Sequence, residues 1–429
     1  MKPDIGARLL PLAAAIALAL PGTARSACSV TEGTDGNGNA KLTIKGDATA
    51  QTIFLLDAGV SVQVQVDCNN NGLFTDPGDQ DQLLNTNVEA FEIAGGGKDV
   101  VSYQNTAALS GMRKSLAVTL GPSPAAQPNQ LIVNPSGLSG NSSFTLDVQG
   151  GSGRDNVSVQ VSNLTNSSVV VRGDLGAGDD QLFLVVLGSL TNSSVTTDVA
   201  LGVGRNLLTD VPNAAFANST YSTIVSGADT ATGADAAALV ADALVLDLGS
   251  RLVHDVRLLA GKDTFRGSID GATLANGSEL IVRARGGAGN DSLALDNVPS
   301  LGPVNVDDTS HLGSFLNGGI GNDQVTADLT FDNLGFHRFF LSGGDGDDIV
   351  FAGLGAISAA GAGPNEDIVL EGGRGSDAVY LAATDPNGGA SFAPMGAVLM
   401  SGGSFDNLFD NCIFFGDAPF QQLDCESGS

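Results

Sequence analysis

Five short segments of this chain set an acid at the end of a glycine corner: Gly150-Gly-Ser-Gly-Arg-Asp155, Gly286-Gly-Ala-Gly-Asn-Asp291, Gly318-Gly-Ile-Gly-Asn-Asp323, Gly343-Gly-Asp-Gly-Asp-Asp348 and Gly372-Gly-Arg-Gly-Ser-Asp377. Glycine lets the backbone bend and free its carbonyls, and the acid adds carboxylate oxygen. Together they offer the hard donors that a calcium ion takes in sets of six to eight. Asp179, Asn290, Asn322, Asp345 and Asp347 enlarge the donor set, and Asp180 closes a near variant of the corner. Weaker copies end at Asp99, Asn206, Asp263 and Asp406. The same residue types also suit left-handed turns with their acids fanned into solvent, so a turn-forming role stands beside the ligand role.

A second oxygen-rich stretch runs Asp67-Cys68-Asn69-Asn70-Asn71-Gly72. Oxygen at its first, third and fifth positions, with glycine at the sixth, resembles the opening of an EF-hand loop. The twelfth position is Gly78 instead of glutamate, and Val60 to Val66 reads as strand. A calcium loop on a β scaffold and a plain Asn-Gly turn are both open.

The elements that must position the corners follow from their spacing. Neighbouring corner acids lie 25 to 32 residues apart, while Asp99 to Asp155 (56) and Asn206 to Asp263 (57) span two periods. Leu164-Thr-Asn-Ser-Ser168 returns as Leu190-Thr-Asn-Ser-Ser194, 26 residues on. Two residues past each acid the chain is apolar: Val101, Val157, Leu182, Leu208, Phe265, Leu293, Val325, Val350, Val379 and Leu408. Ahead of the corner, pairs such as Ile368 with Leu370 alternate in the same way. Period-two patterning on both sides of a bend is strand, corner, strand, with one face inward.

A period near 28 fits a coil of three short strands and three turns. The expected fold is all-β, a right-handed parallel β-helix of about 11 or more coils, or a rod of about 50 Å at about 4.8 Å per coil. Helical periodicity is confined to the Ala-rich stretch from Ala236 to Leu246. The Pro-rich run with Pro122, Pro124, Pro128 and Pro135, the region from Gly227 to Ala243 and the region from Gly302 to Gly313 break the register and are expected to protrude as loops.

The corners resemble the hemolysin-type, or repeats-in-toxin, calcium-binding repeat, whose pattern is Gly-Gly-x-Gly-x-Asp, any residue, then an aliphatic one. The resemblance implies Ca2+ held between adjacent turns by Asp155, Asp291, Asp323, Asp348 and Asp377, with Asp180 as a close variant. It covers the corners alone. In the family a nine-residue unit repeats in tandem, whereas here it occurs once per coil.

Composition sets the outer bounds. The 429 residues include 19 Lys plus Arg against 47 Asp plus Glu, a formal charge of −28, which excludes nucleic-acid binding through a general basic surface. An apolar fraction of 42% excludes the hydrophobe-poor composition of disorder. Residues 1–27 read as a signal peptide, with Lys2 and Arg8 ahead of an apolar run from Leu9 to Leu20 and small residues at Ala24 and Ala27. That run is too short to anchor in a bilayer, and no transmembrane segment is expected in the mature chain.

Four cysteines in an exported chain favour disulfides. The simplest connectivity joins Cys28 to Cys68 and Cys412 to Cys425, locking both ends. Capping coils are expected over 28–90, the β-helix over 91–410 and a second cap over 411–429. His254, His311 and His337 show no metal-ligand spacing, and no nucleophile elbow, phosphate loop or zinc pattern is present.

The sequence thus points away from an enzyme. It points to a secreted or cell-surface, calcium-binding structural or adhesive protein, with calcium bridging corners of adjacent coils and a polysaccharide or protein of the surface or matrix as partner. A β-helical polysaccharide lyase or glycoside hydrolase is the alternative, since the expected architecture resembles pectate-lyase-like enzymes. Such an enzyme calls for a basic groove, and the notable basic cluster is Arg283 with Arg285.

Overall fold

The computed structural model describes residues 28–46, 50–68, 70–76, 79–123, 127–227, 234–297, 302–333, 335–356, 366–384, 398–403, 410–415 and 422–424. Among them there is no helix. Two sheets close around one apolar interior to make a parallel β-solenoid of about ten turns. No helix of the described residues is long and apolar enough to cross a membrane. The expected signal peptide, 1–27, lies outside them.

Sheet 1 runs from Ala40–Lys45 through Ser143–Gln149, Ser168–Asp174 and Glu279–Ala288 to Gln422–Asp424, each strand parallel to its neighbours. Its register aligns Phe144, Val169, Val195, Tyr221, Leu252, Leu280 and Leu312 in one inward column. Sheet 2 aligns Val101, Leu131, Val157, Leu182, Leu208, Ala237, Phe265, Leu293, Val325, Val350, Val379 and Cys412 in another. Alternation explains both columns: every second side chain of a strand faces the same side. Burying each large aliphatic one contributes about 1.5–3 kcal/mol.

The expected three strands per coil hold in one region. Between Ala236 and Val306 sheet 2 splits into a longer and a shorter strand, as in Ala236–Val240 with Val245–Asp247. In the preceding coils the two limbs fuse into single strands, Asp155–Thr165 and Gln181–Thr191. These bend where Asn163 (φ 52°) and Gly188 (φ 80°) turn left-handed.

Several sequence expectations are corrected here. Ala236 to Leu246 holds the strand Ala236–Val240 and the start of Val245–Asp247 with a turn between them, because alternate residues Ala237, Leu239 and Leu246 enter the core. The Pro-rich run is a coil in its own right: Asn129–Asn134 pairs in parallel on both sides and buries Leu131 and Val133, while Pro122, Pro128 and Pro135 sit outside the strand. The region from Gly302 to Gly313 likewise carries the strand Val304–Val306. At the last corner, Cys412 pairs with Val379 and Asp410 takes the acid position expected for Asp406, which with Leu408 lies outside the described residues.

The amino end departs from parallel order. Ser29–Thr34 runs antiparallel to Ala40–Lys45, and Gln51–Asp57, Val62–Asp67 and Gln80–Leu84 form an antiparallel ribbon. A disulfide joins Cys28 to Cys68 across a Cα separation of 5.7 Å. Cys412 is also disulfide-bonded; its expected partner, Cys425, lies outside the described residues.

Candidate metal centre

The corner acids form a single line inside the wall. The backbone N–H of each donates to the side-chain Oδ1 of its counterpart one coil on. Asp155 reaches Asp180 at 2.7 Å, Asp180 reaches Asn206 at 3.0 Å, and Asn206 reaches Asp235 at 2.9 Å. The line continues through Asp263, Asp291, Asp323, Asp348 and Asp377 to Asp410 at 2.7–3.1 Å. Upstream, Asp99 donates to Asn129, whose amide donates to Asp155 Oδ1 at 2.7 Å. Asp155, Asp180, Asp291, Asp323, Asp348 and Asp377 are all 0–3% exposed.

Glycine makes room for this. The acid folds back beneath the first glycine of its own corner, where a Cβ on Gly286 would stand 2.2 Å from Asp291 Oδ2 and one on Gly318 2.4 Å from Asp323 Oδ2. The next glycine stacks backbone on backbone: a Cβ on Gly319 (φ +113°) would come within 2.0 Å of the Gly287 carbonyl oxygen.

The second carboxylate oxygen is less well served. Oδ2 of Asp180, Asp263, Asp291, Asp323 and Asp348 is buried without a hydrogen-bond partner. At two rungs an asparagine stands instead, and its amide nitrogen donates to a corner carbonyl, Asn129 to Gly121 at 2.7 Å and Asn206 to Gly202 at 2.9 Å. The place left to Oδ2 in an aspartate is thus one where a donor, or a positive charge, is satisfied. Burial is the main cause raising the affected carboxyls, with Asp180, Asp263 and Asp348 at about 7 and Asp99 and Asp323 at about 6. Asp155 and Asp291 are raised for the same reason.

The preceding residues form a separate, exposed line of opposite sense. Asp179 accepts from Arg205 N–H at 3.0 Å, Asn290 from Asn322 at 3.0 Å, Asn322 from Asp347 at 3.1 Å, and Asp347 from Ser376 at 3.0 Å. Asp345 is exposed, 4.0 Å from Arg374. The inner and outer sets therefore run side by side as two rails, and the wall backbone divides them. Among the described residues no group of three or more His, Cys, Asp or Glu converges on one point. A cation at the corners would thus rest on one carboxylate oxygen per coil, completed by glycine carbonyls.

In the Asp67 loop the oxygens close the turn itself. Gly72 N–H donates to Asp67 Oδ2 at 2.7 Å, Leu73 N–H to Asn71 Oδ1 at 2.8 Å, and the Asn71 amide to Asp76 at 2.5 Å. Asn69 lies outside the described residues. Among the histidines, His254 and His337 are core residues; Nδ1 of the first lies 2.9 Å from Asp210, whose other oxygen takes the Tyr221 hydroxyl. Enclosed at 0–1% exposure, that trio is closed to any substrate.

Asn129, Asp235 and Asp410 were not singled out in the sequence. The signal was present: each stands two residues before an apolar residue, Leu131, Ala237 and Cys412, and the first two fall inside the double-length gaps. No family model matches this chain, and neither the curated proteins nor the solved structures give a match.

Proposed function

We propose that this chain is an exported structural or adhesive solenoid whose corner acids take up calcium. One observation carries the reading: a line of buried, unpartnered carboxylate oxygens, at positions where the two asparagine rungs hold an N–H donor. Carboxylates about 5 Å apart repel by roughly 3.5 kcal/mol per pair at an effective dielectric near 20, so a divalent ion shared between coils stabilises them collectively. Calcium suits the donor set, and exported modules bind it with dissociation constants of about 10⁻⁴ to 10⁻³ M.

The rungs themselves supply the test. Asp323→Asn and Asp348→Asn keep the Oδ1 acceptor and replace Oδ2 with the donor that Asn206 already carries. Calorimetric titration of the calcium-free chain should show calcium uptake that falls in each variant. Equal uptake in wild type and both variants would remove the corner acids as ligands.

A further inference from the structure

We infer that the outer face of sheet 1 around Arg283 and Arg285 binds an anionic glycan chain. The strands Arg251–Arg257, Glu279–Ala288, His311–Ile320 and Phe336–Asp345 lie side by side in register. Their outward positions set Arg251, Arg257, Arg283, Arg285 and Arg338 on one surface, drawn from only 19 Lys and Arg in the whole chain. Three of these are neutralised: Arg251 by Glu279 at 2.5 Å, Arg338 by Asp367 at 3.3 Å, and Arg257 by Asp255 at 3.6 Å. Arg283 and Arg285 have no ion-pair partner among the described residues. They leave two free guanidinium groups side by side on a chain of net charge −28.

The surface beside them is shaped. Gly313 stands between Ile281 and Arg338 in the outward row, and the missing side chain opens a groove of about 420 Å³. Aromatic faces line it: Arg283 lies 5.4 Å from the Phe315 ring centroid, and His311 stacks on Phe336 at 4.6 Å. Phe340 borders Arg283 and Arg285 on the far side.

Guanidinium forks recognise carboxylate and sulfate groups bidentately, while aromatic faces take apolar ring surfaces. An acidic sugar presents both chemistries in one unit. Nucleic acid carries the anion too, but its binding relies on many phosphate contacts, and two free cations release few counterions. The inference names the partner of the adhesive reading and rests on that reading. Arg285 directly precedes the Gly286 corner, so the calcium and EGTA arms of the test separate glycan binding from metal binding.

Titration of the full chain with oligogalacturonate, a heparin oligosaccharide, maltohexaose and polyglutamate, each in calcium and in EGTA, tests it. Either acidic glycan should bind, with affinity falling as salt rises, while maltohexaose and polyglutamate do not. A preference for the first glycan assigns a carboxylate sugar and for the second a sulfated one. The double variant Arg283→Gln/Arg285→Gln should weaken that binding by about tenfold or more, and Phe315→Leu should weaken it with the charges intact. Arg205→Gln, at the corner edge, should leave it unchanged, and melting curves of all variants should match wild type. Absence of glycan binding, full retention in the double variant, or equal binding of polyglutamate would overturn the assignment. Calcium uptake measured on the same samples reports separately on the corner acids.

Discussion

The solenoid has two ladder edges, and they solve the same problem with different chemistry. Opposite the glycine corners, Ser167 N–H donates to Ser193 Oγ at 3.2 Å, Ser193 to Ser219 at 3.1 Å, and Ser219 to Ser250 at 3.1 Å. Each of these hydroxyls in turn donates to a nearby carbonyl, as Ser193 does to Thr191 at 2.8 Å. Outside them Asn192 donates to Asn166 at 3.1 Å and Asn218 to Asn192 at 2.8 Å. Over the coils that carry Asn166, Asn192 and Asn218 that edge is neutral and satisfied. A stacked coil therefore needs only one side-chain acceptor for one backbone N–H, and serine provides it. The carboxylates of the other edge exceed this need, and that surplus is the ground of the calcium proposal.

The sharpest break in the comparison comes from glycine. Gly319→Ala drives a Cβ into the Gly287 carbonyl at 2.0 Å and should cost more than about 3 kcal/mol by urea unfolding. Gly277→Ala on the serine edge meets nothing within 4 Å at φ +77° and should cost only the left-handed penalty of about 1–2 kcal/mol. Next in size, Asp323→Ala and Ser219→Ala each leave one backbone N–H without its acceptor and should cost about 1–3 kcal/mol. Asp323→Asn in EGTA keeps the acceptor and should cost less than Asp323→Ala; an equal loss would mean that the carboxylate itself is required.

A smaller effect follows from protonation. A carboxyl raised in the folded state holds its proton there at a pH where the unfolded chain has lost it. Its stabilisation is complete below the ordinary carboxylate range and is lost as pH climbs through the folded value. With Asp99 and Asp323 at about 6 and Asp180, Asp263 and Asp348 at about 7, the melting temperature in EGTA should fall between about pH 4 and pH 7. Saturating calcium should flatten that fall at its neutral end. Ser219→Ala, which removes no titrating group, should shift that whole curve down without altering its slope.

The corner edge was largely legible because glycine spacing marks a bend whatever the packing does. The direction of the acids was legible too, though less obviously. Val157 faces inward, so Asp155, two residues earlier on the same strand, shares its face. The turn-forming alternative, with the acids fanned into solvent, overlooked that alternation. Asn129 and Asp235 were hidden because their corners lack the paired glycines, and only the double gaps betrayed them. Of the arginine face only Arg283 with Arg285 was legible, for another reason. Arg251, Arg283, Phe315 and Arg338 sit on four successive coils, and unequal coil lengths scramble their spacing along the chain.

The antiparallel strand Ser29–Thr34 at the amino end has a last consequence. Any uncovered sheet edge can accept the strand of a second molecule, and here the edge presented is a reversed strand in place of another parallel coil. At this end a newcomer would therefore have to pair with a strand of opposite direction to the coils behind it. The rod's reach is a ruler written into the gene, one notch for each coil encoded.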